Sequence, residues 1–151
     1  LHTNSAIGAI PRLLDIGILP DIMAGNIIGI IAQRLVRRLC VHCKSPYQAE
    51  AHETRLLGNV ADGPRPVIYR PAGCERCDFQ GYRGRLAIME LLRINGDMDE
   101  LIARRSTVRE MRQLASRQGF ATLADDGLRR VLDGSTSLEE VGRVVDLTDR
   151  M

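Results

Sequence analysis

Four cysteines are the residues of this sequence whose type and spacing could do chemistry. Cys40 and Cys43 form one Cys-x-x-Cys pair, Cys74 and Cys77 form a second, and the chain has no other cysteine. A two-residue spacer lets two sulfurs reach one metal ion from a single tight turn, and Zn²⁺ favours four thiolates in a closed tetrahedral shell. The sequence therefore predicts a structural zinc site formed by both pairs. Residues 44–73 lie between the pairs and exceed the roughly 15 to 20 residues of a compact zinc ribbon, so we expect an inserted segment that is mostly loop.

Disulfides, a redox dithiol and a catalytic zinc are the alternative uses of these cysteines. Disulfides predominate in oxidising compartments, and nothing in the sequence resembles a secretory signal or a short disulfide-dense scaffold. A thioredoxin-like dithiol would occur once, after a strand, and a catalytic zinc would keep a water beside three protein ligands. His42 and His52 could each replace a thiolate, but with four cysteines present we expect both histidines at the surface.

Composition and charge exclude several classes of function. The chain of 151 residues is long enough for one domain or two small lobes. It has no Trp, two Phe and three Tyr, and its net charge is +2 with acidic residues interspersed among the arginines. This pattern lacks the one-sided basic face and the stacking aromatics of a nucleic-acid binder. The longest apolar stretch, residues 22–32, is far short of the roughly 20 residues that span a bilayer. We therefore expect a cytoplasmic protein without nucleic-acid partners or transmembrane segments.

The single lysine and the first residue both suggest that the sequence is part of something longer. Lys44 follows Cys43 rather than the glycine of a phosphate-binding G-x-x-x-x-G-K-[ST] loop, so the chain has no Walker A lysine. The sequence begins at Leu1, without an initiator methionine. We expect a fragment.

The residues before the first cysteine pair predict a capped helix. Ser5 has a side chain suited to the N-cap, and Gly17 stands where a left-handed C-terminal residue is expected. Pro11 falls inside this segment and should kink or divide the helix, because it removes one backbone donor. We expect the helix to end at about Asp15.

A second helix is expected to start after Pro20 and to run into Cys40, delivering the first metal-binding turn. Its apolar stripe would consist of Met23, Ile27, Ile30, Ile31 and Leu35. Three arginines cluster near its end: Arg34, Arg37 and Arg38. They would interact favourably with the C-terminal end of the helix dipole, or else contact a phosphate or a partner. Between the cysteine pairs only residues 65–70 look strand-like, and after Cys77 the apolar run at residues 86–92 predicts a strand.

The last third of the sequence predicts four helices. In three capping boxes, a side chain whose oxygen can cap a helix stands three residues before a glutamate. A weaker fourth box has an aspartate in place of the glutamate. The pairs are Asp97 with Glu100, Thr107 with Glu110, Ser137 with Glu140, and Thr122 with Asp125. Gly119 and Gly134 would end the intervening helices. We expect these helices to pack as a small bundle.

Four blocks of the sequence resemble the type II secretion traffic ATPases, also called general secretion pathway protein E, and less closely the type IV pilus assembly ATPases. The blocks are LHTNSA at residues 1–6, AQRLVRRLC at residues 32–40, GCxxCxxxGYxGR at residues 73–85, and LxxDGL with GxTSLEEV within residues 123–141. They follow the order of that family and extend from end to end of the chain.

The resemblance implies an α+β, mostly helical chain that is the C-terminal remnant of a RecA-like P-loop ATPase domain. Residues 1–39 would be the terminal part of the ATPase core, residues 40–85 a four-cysteine zinc-binding lobe, and residues 86–151 a returning strand and a small C-terminal helical bundle. His2 would belong to the family's histidine box, beside the γ-phosphate of the nucleotide. Walker A and Walker B motifs are absent from this sequence, so ATP and Mg²⁺ would bind only in the intact parent, and the chain alone should not hydrolyse ATP.

The resemblance also implies partners and a location. The parent would be a homo-hexamer that powers pseudopilus assembly and protein export in type II secretion, located in the cytoplasm and held at the inner membrane by platform proteins. The residues alone also leave two other classes of function open. One is a free-standing zinc-dependent protein-interaction module, and the weaker one is a zinc-ribbon nucleic-acid binder, which would require a one-sided basic face.

Overall fold

A computed structural model describes residues 3–58 and 65–148, which form two compact units of mixed α and β structure. Unit 1 comprises residues 3–33 and 89–122, and unit 2 comprises residues 34–58, 65–88 and 123–148. The helices are α1 (Ala6–Asp15), α2 (Pro20–Met23), α3 (Ala51–Leu57), α4 (Gly96–Ala103), α5 (Val108–Arg117), α6 (Leu123–Leu132) and α7 (Leu138–Val144). The strands are β1 (Gly29–Leu39), β2 (Ser45–Gln48), β3 (Val67–Arg70) and β4 (Tyr82–Arg93); β1 pairs with β4, and β2 pairs with β3.

Helix α1 has the predicted caps. The Ser5 side chain accepts a hydrogen bond from the Gly8 N–H over 3.1 Å, and Gly17 has a φ of 93° just after the helix. Pro11 lies inside the helix but does not divide it. Two buried side chains before the proline, Ile7 and Ile10, anchor the helix on the core of unit 1.

The helix predicted from Pro20 to Cys40 is wrong beyond Met23. Helix α2 ends at that residue, and the chain re-forms as strand β1 from Gly29. Side-chain exposure in β1 alternates, with Ile31 and Leu35 exposed and Val36 buried, as the two-residue period of a strand requires. β-branched residues fit a pleated strand at least as well as a helix, and pairing with β4 selects the strand.

Unit 1 has an aliphatic and methionine-rich core, as the scarcity of aromatic residues suggested. Helices α1, α2, α4 and α5 and the end of β4 contribute to it. Its buried members are Ala6, Ile7, Ile10, Met23, Leu92, Met98, Ile102, Met111 and Ala115.

Unit 2 contains the segment between the cysteine pairs, and the described part of this segment is more structured than the predicted loop. Strands β2 and β3 pair antiparallel, with Ser45 opposite Arg70 and Gln48 opposite Val67. This confirms the strand expected within residues 65–70. Helix α3 connects the two strands along the chain, and a Glu50–Glu53 capping box starts the helix. Its one buried residue, Leu57, gives no apolar period from which a helix could have been predicted.

The C-terminal helices divide between the two units as two pairs, where the sequence predicted a single bundle. Helices α4 and α5 pack in unit 1, whereas α6 and α7 pack in unit 2. Helices α6 and α7 approach closely at Gly127, where an added Cβ would lie 2.8 Å from Cγ1 of Val141. The Thr107–Glu110 box is confirmed, but the cap of α4 is Asn95 rather than Asp97.

The core of unit 2 joins the inserted segment to the last two helices. Its buried members are Ala49, Leu57, Ile68, Leu128, Val131, Leu138 and Val141. Within residues 3–58 and 65–148, no helix combines the length and the apolar character needed to cross a bilayer.

Candidate metal centre

The four cysteine sulfurs meet in unit 2, all within 4.8 Å of one another. The Sγ–Sγ distance is 3.9 Å from Cys40 to Cys74, 3.8 Å from Cys43 to Cys77 and 3.8 Å from Cys74 to Cys77. Ligands at the corners of a tetrahedron, each about 2.3 Å from a central ion, are about 3.8 Å apart. The sulfur positions therefore fit a tetrahedral thiolate site. All four cysteines are free, and these separations are far longer than the ~2.05 Å of a disulfide bond.

The first cysteine pair lies on a tight turn at the end of β1. The Cys40 carbonyl accepts hydrogen bonds from the N–H groups of Cys43, at 3.3 Å, and Lys44, at 3.0 Å. These bonds fold the chain back so that both side chains point to the same place. The turn follows a strand, and not the helix that the sequence predicted.

The second pair lies on a 3₁₀ turn at Glu75–Cys77. The Cys74 carbonyl accepts from the N–H groups of Cys77, at 3.0 Å, and Phe79, at 2.9 Å. Asp78 and Phe79 both have positive φ values, 52° and 60°. This is an uncommon conformation for residues other than glycine, and the surrounding turn holds it in place.

Two glycines flank the second turn because a side chain would not fit. A Cβ added at Gly73 would lie 2.7 Å from the Phe79 carbonyl oxygen, and one added at Gly81 would lie 2.4 Å from Cβ of Pro71. Both residues also have left-handed φ values. The carbonyl of Gly81 accepts from the Cys40 N–H over 2.9 Å, which joins the two cysteine pairs through the backbone.

Backbone N–H groups point at two of the sulfurs. Gly73 donates to Sγ of Cys43 over 3.3 Å, and Cys74 and Gly81 each donate to Sγ of Cys77 over 3.3 Å. Such donors stabilise a thiolate and help to lower a thiol pKa.

The thiol pKa values follow from burial and from these donors. Burial raises the pKa of Cys43 to about 11, against the single N–H donor of Gly73. Burial also acts to raise the pKa of Cys77, but its two backbone donors, with the neighbouring cysteine side chains, lower it to about 7. The Cys43 thiol therefore keeps its proton at neutral pH. A metal that binds this sulfur must displace the proton, so metal affinity falls as the pH is lowered.

The two nearby histidines lie outside the cluster, as expected. Both are exposed. The ring nitrogens of His42 are 3.3 Å from a guanidinium nitrogen of Arg76, and Nδ1 of His52 is 3.5 Å from a carboxylate oxygen of Glu50. Four sulfur donors fill a tetrahedral shell without them, which suits a structural metal.

Lys44, for which no role was predicted, contacts the end of α6. Its Nζ donates to the Gly134 carbonyl over 2.8 Å and lies 4.5 Å from the ring centroid of Tyr69. Gly134 follows the end of α6, where carbonyl groups lack helical partners and attract cations. Lys44 therefore ties the first cysteine turn to α6.

Arg37 is one of three arginines expected at a helix end, and it lies instead on β1, where it pairs with Glu140 of α7. Its Nε and Nη2 donate to Oε2 of Glu140 over 2.9 and 2.7 Å, and its backbone N–H donates to Oε1 over 2.9 Å. Arg143 adds two hydrogen bonds to the same carboxylate. Burial acts to raise the pKa of Glu140, but the bonds from both arginines lower it to about 2. The sequence predicted Glu140 only as a capping partner of Ser137. No local pattern could have paired it with Arg37, which lies 103 positions away.

The predicted site residue His2 lies outside the described residues. The described segment that follows it leads into α1 through Ser5.

Comparison with known proteins identifies the family. A family model described as "Type II/IV secretion system protein" matches residues 1–143. The chain belongs to this family. It is 48% identical over 144 residues to "Type II secretion system protein E" of Pseudomonas aeruginosa, covering 95% of this chain and 28% of that protein. It is 43% identical to "Type II secretion system ATPase E" of Vibrio cholerae, again over 95% of this chain and 28% of the relative.

Family members from pilus systems are also similar. The chain is 42% identical over 142 residues to "Type IV pilus assembly ATPase PilB" of Thermus thermophilus, covering 93% of this chain and 16% of that protein. The resemblance deduced from the four sequence blocks is therefore confirmed. The chain spans only a minor part of the length of each of these relatives.

Proposed function

We propose that this chain is the C-terminal portion of a cytoplasmic ATPase that powers pseudopilus assembly and protein export in type II secretion. The observation that carries the proposal is the four-cysteine cluster, in a chain that resembles the type II secretion protein E of P. aeruginosa over 95% of its length. The parent would act as a homo-hexamer, as the resemblance of the four sequence blocks implies.

In this proposal the chain supplies structure to the motor and not its phosphate-binding loop. Residues 1–39 would complete a RecA-like core, residues 40–85 would be the zinc lobe, and residues 86–151 the returning strand and C-terminal helices. The single lysine of the sequence follows Cys43 rather than a phosphate-binding glycine. ATP and Mg²⁺ would therefore bind to other parts of the parent, and this chain alone would not hydrolyse ATP.

Zinc is the metal that the sulfur geometry and the donor set favour. Cys40, Cys43, Cys74 and Cys77 would hold it, and the ion would supply folding energy to unit 2. The ordered lobe would dock on type II secretion platform proteins and so keep the parent peripheral at the inner membrane.

His2 would act on the nucleotide in the assembled parent. A contact to the γ-phosphate matters most as charge redistributes in the transition state. We therefore expect His2→Ala to lower turnover much more than nucleotide affinity. Unchanged steady-state hydrolysis by an assembled hexamer would remove His2 from the mechanism.

A chimera tests the proposal directly. The matching C-terminal part of the P. aeruginosa type II secretion protein E would be replaced by this chain and expressed in a strain that lacks the native protein. We expect secretion to be restored, and expect Cys74→Ser in the chimera to abolish it while nucleotide affinity stays near that of the unmodified chimera.

The control is His42→Ala, which removes an exposed histidine beside the cluster and should leave secretion intact. A chimera that is stable and binds nucleotide but does not support secretion would contradict the proposal. That result would favour the free-standing zinc-dependent interaction module.

A further inference from the structure

A buried polar network in unit 2 runs from the cysteine turns to helix α7, and neither the family resemblance nor the proposed function uses it. Its members on the C-terminal side are Thr136, Ser137 and Glu140, which are 0%, 3% and 1% exposed. Buried polar groups of this kind are costly unless every one is bonded. The partners of these three residues therefore show what holds α7 in place.

Tyr82 forms the first link. It follows Gly81, which donates to Sγ of Cys77 through its N–H and accepts from Cys40 through its carbonyl. The Tyr82 hydroxyl is 2.7 Å from Oγ of Ser137, and that oxygen caps α7 by accepting from the Glu140 N–H over 3.2 Å. A short path therefore connects both cysteine pairs to the first turn of α7.

Arg37 forms the second link. It lies three residues before Cys40 on β1, and its guanidinium is 4.2 Å from the ring centroid of Tyr82. Glu140 binds both the backbone N–H and the guanidinium of Arg37. The carboxylate of Glu140 has no exposed surface, so losing Arg37 would remove one of the two arginines that neutralise a buried charge.

Main-chain and side-chain bonds close the network around these links. The Leu39 N–H donates to the Ser135 carbonyl over 2.9 Å, and Oγ1 of Thr136 donates to the Arg37 carbonyl over 2.8 Å. Every residue that approaches α7 in this way stands within a few positions of a cysteine turn. The same residues therefore contact both the cysteine turns and the start of α7.

We infer that Glu140 and Tyr82 are positioning residues for the metal centre, and that metal binding and the docking of α7 stabilise each other. The inference rests on the metal binding proposed above. Because such coupling is reciprocal, metal removal must loosen α7 by the same factor by which undocking of α7 weakens metal binding. Residues that orient metal ligands without touching the ion commonly change affinity by about 10- to 100-fold.

Hydrogen exchange of the unmodified chain tests one direction. Amide exchange would be followed by mass spectrometry with Zn²⁺ bound and after removal by a chelator. We expect amides of α7 to exchange at least about tenfold faster without metal, while α5 in unit 1 keeps its protection. Unchanged exchange in α7, or an equal loss in α5, would overturn the inference.

Two variants test the other direction. Glu140→Gln keeps the shape of the side chain and removes its charge, and Tyr82→Phe keeps the ring and removes the bond to Ser137. The control is Glu100→Gln, an exposed partner of Arg104 on α4. Zinc affinity would be measured by competition with a chelator, and Co²⁺ spectra would report the ligand set.

We expect both network variants to bind zinc about tenfold or more weakly, with the thiolate-to-cobalt bands intact and the control unchanged. Intact bands would show that the four sulfurs still bind and that the loss comes from positioning. Folded variants with wild-type affinity would overturn the inference but leave the proposed metal binding in place, whereas a chain that binds no zinc would contradict both. Should Glu140→Gln not fold, Tyr82→Phe and the exchange of the unmodified chain decide.

Discussion

The backbone N–H of Cys40 donates to the carbonyl of Gly81 over 2.9 Å. This bond joins the strand end that carries the first cysteine pair to the residue that closes the second. Because the N–H of Gly81 also donates to Sγ of Cys77, one glycine contacts both halves of the candidate metal centre. Its backbone geometry therefore bears on the whole site.

Gly81→Ala should destabilise unit 2 more than Gly84→Ala does. Both glycines have left-handed φ values, 75° and 78°, so both variants carry the same backbone penalty of about 1 to 2 kcal/mol. The new Cβ collides at Gly81, 2.4 Å from Cβ of Pro71, whereas at Gly84 no atom of the described residues lies within 4 Å. We expect an additional loss of about 1 to 3 kcal/mol in the unfolding free energy for Gly81→Ala. Denaturant titrations of the zinc-loaded variants measure it, and equal losses would contradict the collision.

The purified, reduced chain should carry one zinc ion. One complete set of four sulfurs is present, and a tetrathiolate site binds zinc with about 10 to 16 kcal/mol at neutral pH. Elemental analysis with a thiol assay gives the stoichiometry. Cys74→Ser should lower it, and His42→Ala should not, because His42 lies outside the cluster. A zinc-free protein with its thiols paired in disulfides would exclude the site.

Glu140 should stay ionised to unusually low pH. Its pKa of about 2 in the folded chain lies below the ordinary value of 4.5. The carboxylate therefore contributes stability that is fully present above about pH 4.5 and is lost as the pH falls toward 2. Carbon-13 NMR titration of the labelled carboxyl measures the midpoint directly. Arg37→Gln should raise this midpoint, since burial persists while the charged donor is lost; an unmoved midpoint would show that Arg37 does not set the pKa.

Thr107→Ala should weaken the start of α5. The Thr107 hydroxyl oxygen accepts from the Glu110 N–H, and the Glu110 carboxylate accepts from the Thr107 N–H. Loss of such a cap costs about 1 kcal/mol. Hydrogen exchange in the first turn of α5 should speed up correspondingly, with or without zinc. Ser116→Ala is the matched control, because it removes a hydroxyl from the same helix away from the cap, and an equal effect there would argue against capping.

Local patterns could be predicted from the sequence because their physical causes lie within a few residues. The Ser5 and Thr107 caps bond to N–H groups three positions away, and the two-residue spacer of each cysteine pair suits one tight turn. The apolar run at residues 86–92 predicted β4, which pairing extends to Tyr82–Arg93. The family, too, could be identified from four short blocks of sequence.

Tertiary structure decided the features whose causes lie far apart in the chain. Residues 29–39 carry an apolar pattern that fits either a helix or a strand, and only pairing with β4 made them a strand. Glu140 and Arg37 stand 103 positions apart, so no local signal could pair them. Hydrogen bonds across that distance form only after folding has brought the cysteine turns and α7 together. The sequence by itself therefore determined the chemistry of the four sulfurs, and the tertiary structure determined what surrounds them and supports them.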